Sequence, residues 1–143
     1  MIKGIKGRPF FLLLMIDKNH IKTFVRHVLG CECPDEVFAR IDCQCNIVLN
    51  NGIVLRNKIN IGNRLLIYVV EMNTSGFLKN MLATLVPIGI NERDEKGFNR
   101  FRLVIATDNL DKIKDKAEKI FKAVESKDEK VHLHIVHQND IQI

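Results

Sequence analysis

Apolar and polar positions along this chain change period several times, and each change marks an element. Arg8-Pro9 opens a seven-residue apolar run, Phe10 to Ile16. That run reads as a buried strand, since Pro suits the start of a strand and the run is short. From Asn19 the period lengthens: Ile21, Phe24, Val25, Val28 and Leu29 fall at i, i+3, i+4, i+7 and i+8, one apolar face of a helix over 19–29. Asp17 or Asn19 suits its start, and Gly30 suits the left-handed residue past its end.

Pro34-Asp35-Glu36 has the form of a first helical turn, with Pro where no N–H is needed and acids at the positive end. A two-residue period follows. Ile41, Cys43, Cys45, Ile47 and Leu49 alternate with polar residues, as in a half-buried strand. Asn50-Asn51-Gly52 carries a hairpin signal, Ile53 to Ile61 returns, Gly62-Asn63 turns again, and Leu65 to Glu71 is almost wholly apolar. These segments predict a three-strand antiparallel meander near 40–72.

Phe77, Leu78, Met81, Leu82 and Leu85 predict a helix over 75–86, stopped by Pro87. Residues 88–99, with two Gly and a charge cluster, form the longest loop candidate. Phe101 to Ala106 reads as a strand, 109–126 as a helix with Leu110, Ile113, Ala117, Ile120, Phe121 and Val124 inward, and Val131 to His137 as a last strand. The fold class expected over 1–143 is a single α+β domain. An antiparallel or mixed sheet would carry three helices on one face.

Composition narrows the function classes. No apolar run approaches the ~20 residues needed to span a bilayer. Asp17-Lys18-Asn19-His20 follows the first run where a signal peptide would show small residues, so a cytoplasmic protein without a membrane partner is expected. A net charge of +5 is mild. A basic surface of Lys3, Lys6, Arg8, Arg100 and Arg102 is the sole nucleic-acid candidate, and no aromatic is interleaved with it to stack bases. Phosphate-cradling Gly loops, a nucleophile elbow and a His-Glu-x-x-His pair are absent. No enzyme class is supported.

The candidate chemistry lies in two Cys-x-Cys pairs, Cys31 with Cys33 and Cys43 with Cys45. Four thiolates suffice to close a zinc or iron–sulfur site, and the four cysteines are therefore the expected metal ligands of a protein with a redox or structural role and a protein or redox partner. Residues at i and i+2 on an extended segment face one way, with Cα atoms ~6.6–7 Å apart. A single site requires residues 34–42 to turn back. A thiol–disulfide role is the other sharp option, because a helix start at Pro34 favours a thiolate at Cys33 while Glu32, Asp35 and Glu36 oppose it. In a third reading the thiols are core residues of a non-enzymatic interaction or ligand-binding module, and the 88–99 loop makes its contacts.

In these four cysteines alone, the chain resembles part of the catalytic subunit of ferredoxin:thioredoxin reductase, whose cluster and active-site disulfide use Cys-Pro-Cys and Cys-His-Cys motifs. A third pair is missing here, and the predicted meander is foreign to that mostly helical family. Elsewhere, His132 and His134 share one face of the last strand, expected to be solvated, with Val131, Leu133 and Ile135 inside.

Overall fold

A computed structural model of the chain describes residues 18–49, 52–125 and 128–141. The expected strand Phe10 to Ile16, the basic residues Lys3, Lys6 and Arg8, the cap candidate Asp17 and the turn residues Asn50 and Asn51 lie outside them. Helix α1 covers 18–28, α-helical to residue 23 and π-wound over Phe24–Val28. A 3-10 turn, Asp35–Ala39, leads into β1 (Ile41–Val48), β2 (Val54–Ile61) and β3 (Leu65–Glu71). Then come α2 (Leu78–Lys96), β4 (Arg100–Thr107), α3 (Leu110–Glu125) and β5 (Val131–His137).

Among the described residues the strands form one mixed sheet in the order β1-β2-β3-β4-β5. The meander read from the sequence is its antiparallel part, β1 to β3. β3, β4 and β5 run parallel, which demands crossover connections, and α2 and α3 supply them. Crossovers of one hand between successive neighbouring strands put both helices on the same face. Leu66, Tyr68 and Val70 of β3 and Phe101, Leu103 and Ile105 of β4 pack there with Leu78, Leu82 and Leu85 of α2 and Ile113 and Ala117 of α3.

The sequence reading placed all three helices on one face, and the structure differs. α1 covers the opposite side, where Ile21, Phe24, Val25 and Leu29 join Ile59, Ile67, Val69, Val104 and Ala106 in a second core. The reason lies in β3 and β4. β3 from Leu65 to Val70 and β4 from Leu103 to Ala106 are apolar in both phases of the strand period, so each face must be removed from water. At ~1.5–3 kcal/mol per fully buried large aliphatic side chain, leaving one face bare would cost more than a domain's net stability.

α2 corrects a second expectation: it does not stop at Pro87 but continues to Lys96, so most of the expected 88–99 loop is helix. Pro87 lies on the exposed side, where water can satisfy the carbonyl its ring leaves unbonded. The buried stripe runs on through Leu85, Val86, Gly89 and Arg93. Gly97 then closes the helix at φ 76°, its N–H donating to the Arg93 carbonyl. Arg93 holds this end down through paired bonds to Asp128, Nη1 to Oδ1 at 3.0 Å and Nη2 to Oδ2 at 2.8 Å.

Gly89 faces the ring of Phe101 so closely that any Cβ would collide with it. The same ring stands edge-on to Tyr68, with centroids 4.8 Å apart, and has nowhere to retreat. Gly89→Ala is expected to destabilise the fold by about 1–2 kcal/mol, the overpacking cost exceeding the helix-propensity gain. Urea denaturation checks this: the midpoint should fall with an unchanged slope, and an equal or higher midpoint would mean that α2 does not rest on Phe101.

Candidate functional site

α1 ends by delivering a loop. Its π turn closes with Leu29 N–H donating to the Phe24 carbonyl at 3.0 Å, and Cys31 N–H reaches back to the Val25 carbonyl at 3.0 Å. Gly30, at φ 71°, makes the left-handed step between them. Cys31 and Cys33 follow at once, and their sulfurs are joined in a disulfide with Cα atoms 5.5 Å apart. The segment is thus curled more tightly than the extended spacing anticipated.

The loop is fastened beyond the bond as well. Arg26 Nη2 donates to the Cys33 carbonyl at 2.9 Å and to Asp35 Oδ1 at 2.6 Å, and Lys22 Nζ stands 3.2 Å from that oxygen. Hydrogen bonds from Lys22 and then Arg26 hold the Asp35 carboxyl below its ordinary range. Both cations also lie over the Phe38 ring, at 5.7 and 5.0 Å. Gly62, at φ 59°, lets the 3-10 turn lie directly on the β2–β3 turn, where its N–H donates to the Arg40 carbonyl at 2.7 Å. That turn is only five residues long, so its dipole is a minor influence on Cys33.

Beside the disulfide lies a cavity of about 410 Å³ whose wall includes Cys31, Cys33, Glu32, Arg64, Arg100 and Arg102. Arg100 and Arg102 are two apart on β4, opposite Leu65 and Ile67 of β3, so both lie on the α1 side. Arg102 is half-buried. Its Nη1 donates to the Leu29 carbonyl at 3.3 Å and to His134 Nε2 at 2.8 Å, while its Nε is buried and has no partner among the described residues. Burial, then the Arg100 charge, lower the Arg102 pKa from the ordinary arginine value. Among the described residues none of the three arginines has a carboxylate ion pair.

His132 and His134 are not on a solvated face. They line the α1 side of β5, both partly buried. Burial, followed by the charge of Arg102 and then His132, pushes the His134 pKa down to about 4. The neutral ring therefore accepts from Arg102 at Nε2, which puts its proton on Nδ1.

The second cysteine pair sits elsewhere on the sheet. Cys43 and Cys45 lie on the edge strand β1, and both sulfurs meet the Nδ2 of buried Asn57, at 3.6 and 3.5 Å. Cys43 packs against the α1-side core, while Cys45 is exposed. Between the two pairs, residues Asp35–Ala39 form the 3-10 turn. Among the described residues no three His, Cys, Asp or Glu side chains gather as a metal site would need.

A second polar cluster escaped the sequence reading. Glu92 of α2 accepts hydrogen bonds from Tyr68 Oη, from Lys58 Nζ at 2.5 Å and from Lys96 Nζ at 2.9 Å, beside a cavity of about 440 Å³. Burial raises the Glu92 pKa, but the hydrogen bonds from Lys58, Tyr68 and Lys96 outweigh it and hold the carboxyl below its usual range. Burial, then Glu92, push the Tyr68 hydroxyl upward. The i,i+4 spacing of Glu92 and Lys96 was the available signal, hidden because the segment reads as loop. Charges here compensate one another, so the cluster braces β2, β3 and α2.

Comparison of the chain with known protein families, with curated proteins and with solved structures finds no match. No helix among the described residues is long and apolar enough to cross a membrane.

His134 makes stability depend on pH. Folded, it stays neutral down to about 4, while an unfolded His takes up a proton near ~6.5. Across that window the unfolded state binds the extra proton, so the contribution is complete above the unfolded value and is lost as pH falls towards the folded one. After allowance for solvent screening of a partly buried ring, it amounts to on the order of 2 kcal/mol. His134→Gln, which keeps an acceptor for Arg102 without titrating, should lose that much less stability than wild type between neutral pH and pH 4. Parallel losses in paired denaturant melts would contradict this assignment.

Proposed function

We propose that the chain is a thiol–disulfide redox module whose working pair is Cys31 and Cys33. The observation that carries the reading is a disulfide on a partly exposed loop, set in the wall of a cavity with three arginines that have no carboxylate partner among the described residues. Positive charge stabilises a thiolate, which is both the nucleophile and the leaving group of exchange. Of the acids expected to oppose this, Asp35 is held by Lys22 and Arg26, and Glu32 is left as the carboxylate in the cavity wall. In a reducing compartment, as the cytoplasmic expectation implies, a disulfide of this kind is a cycling bond and not a structural staple. Its partner would be a small thiol or a protein thiol.

A second reading keeps the metal hypothesis. Cys43 and Cys45 turn both sulfurs to one side against Asn57, a geometry two ligands of one zinc ion or iron–sulfur cluster would share. Joining Cys31 and Cys33 to that site requires the disulfide to open and the loop to move, or pairs from two chains to meet. If neither thiol reading holds, the cysteines are packing residues of an interaction module.

Alkylation and mass analysis of native protein equilibrated in graded thiol–disulfide buffers, with metal content measured on the same anaerobic sample, separates these readings. The redox reading expects Cys31 and Cys33 to pass together and reversibly between two alkylated and two protected sulfurs. Cys43→Ser and Cys45→Ser should leave that transition in place. Near-stoichiometric zinc or iron, lost on Cys31→Ser, would replace it with the metal reading. A pair labelled only after unfolding would end both.

A further inference from the structure

Resting on the redox reading, the geometry points to a substrate class: we infer that the cavity beside Cys31–Cys33 binds a small thiol carrying carboxylate groups. The first support is uncompensated charge. Arg64 and Arg100 are exposed, Arg102 lies deeper, and among the described residues Glu32 is the one acid in the cavity wall. A guanidinium fork matches a carboxylate in two parallel hydrogen bonds.

Position is the second support: Arg102 reaches the cavity wall from β4 while its Nη1 is held by the Leu29 carbonyl and His134 Nε2. Fixity is the third. Arg64 offers its carbonyl to the N–H groups of Asn99 at 2.8 Å and Arg100 at 3.2 Å, so the β2–β3 turn carrying Arg64 and the start of β4 carrying Arg100 are tied together. The site is in this sense preorganised.

Size and shape select the ligand. A concave space of about 410 Å³ lies in the range of small-molecule sites, whereas a nucleic acid backbone needs an extended basic stripe. The only exchangeable bond in its wall is the disulfide. A bound thiolate attacks one sulfur of the Cys31–Cys33 bond, which breaks to give a mixed disulfide and a cysteine thiolate. A second thiol, as thiolate, attacks the ligand sulfur of that mixed disulfide and releases the other cysteine. Two small thiols are oxidised to one disulfide, the protein bond is reduced to two thiols, and the two ligand protons end on Cys31 and Cys33.

Two measurements test this on the full chain. In the first, oxidised protein is reduced by mercaptosuccinate or by neutral 2-mercaptoethanol, at matched thiolate concentration and ionic strength. The expected result is a preference for the dicarboxylate thiol of about tenfold or more, the equivalent of one good ion pair. Arg64→Gln with Arg100→Gln, both exposed and tolerant of change, should cut that ratio to about twofold, as should salt well above physiological strength. In the second, succinate is titrated by NMR into the Cys31→Ser/Cys33→Ser chain, which lacks the exchangeable bond beside the cavity. Saturable shifts at Arg102 and Asn99, absent in the arginine variant, are expected. Succinate binding without thiol exchange would keep the anion site and end the redox reading. Equal rates for both thiols with no succinate shifts would overturn the substrate inference and leave the redox reading standing.

Discussion

The structure depends on β3, and on β4 from Leu103 onward, being apolar in both phases. Leu65 to Val70 and Leu103 to Ala106 present buried side chains to each face of the sheet, and a strand of this kind is stable only between two layers. The parallel crossovers α2 and α3 fill one side because the chain connecting β3 to β4 and β4 to β5 must pass there. The other side has no crossover and is closed by α1 with its 3-10 turn. Everything proposed about function follows from that second layer, since α1 and the left-handed Gly30 beyond its end hand the Cys31–Cys33 loop to the rim of the sheet.

Charge compensation separates the two cavities. Around Glu92 each cation has an acceptor and the carboxylate is saturated by three donors, so the cluster holds elements together and offers nothing to a ligand. Around Arg102 the balance is reversed: among the described residues of the cavity wall positive groups outnumber acids, and the Cys31–Cys33 bond lies alongside. His134 contributes by staying neutral, because a second cation against Arg102 would repel it.

Much of the architecture was legible in local pattern. The alternation from Ile41 to Leu49, the turn at Gly62-Asn63 and the helical spacing around Phe24 and Ile113 each reported the element that formed, and Gly30 reported its cap. α2 was cut short because Pro87 is a breaker by type, yet its position on the wet side makes it harmless, and Gly89 and Arg93 continue the buried stripe with residues that do not look apolar. The covering of both faces was present in the unbroken run of β3, but which helix lies on which side is set by chain connectivity. Cys-x-Cys marked the loop. The arginines that give it meaning converge through the β3–β4 register and the α1 packing, long-range relations that no local window carries.

The central claim is that α1 packs on the face opposite α2 and α3 and thereby sets Cys31 and Cys33 beside Arg102. A carbon-edited NOE spectrum of the oxidised, uniformly labelled protein tests it most directly. The account predicts cross-peaks from Phe24 and Val25 to Ile67 and Val104, and from the 29–33 segment to Arg102. Cross-peaks linking Phe24 or Val25 to Leu82, Leu85 or Ile113 instead, with none between the cysteine loop and Arg102, would contradict it.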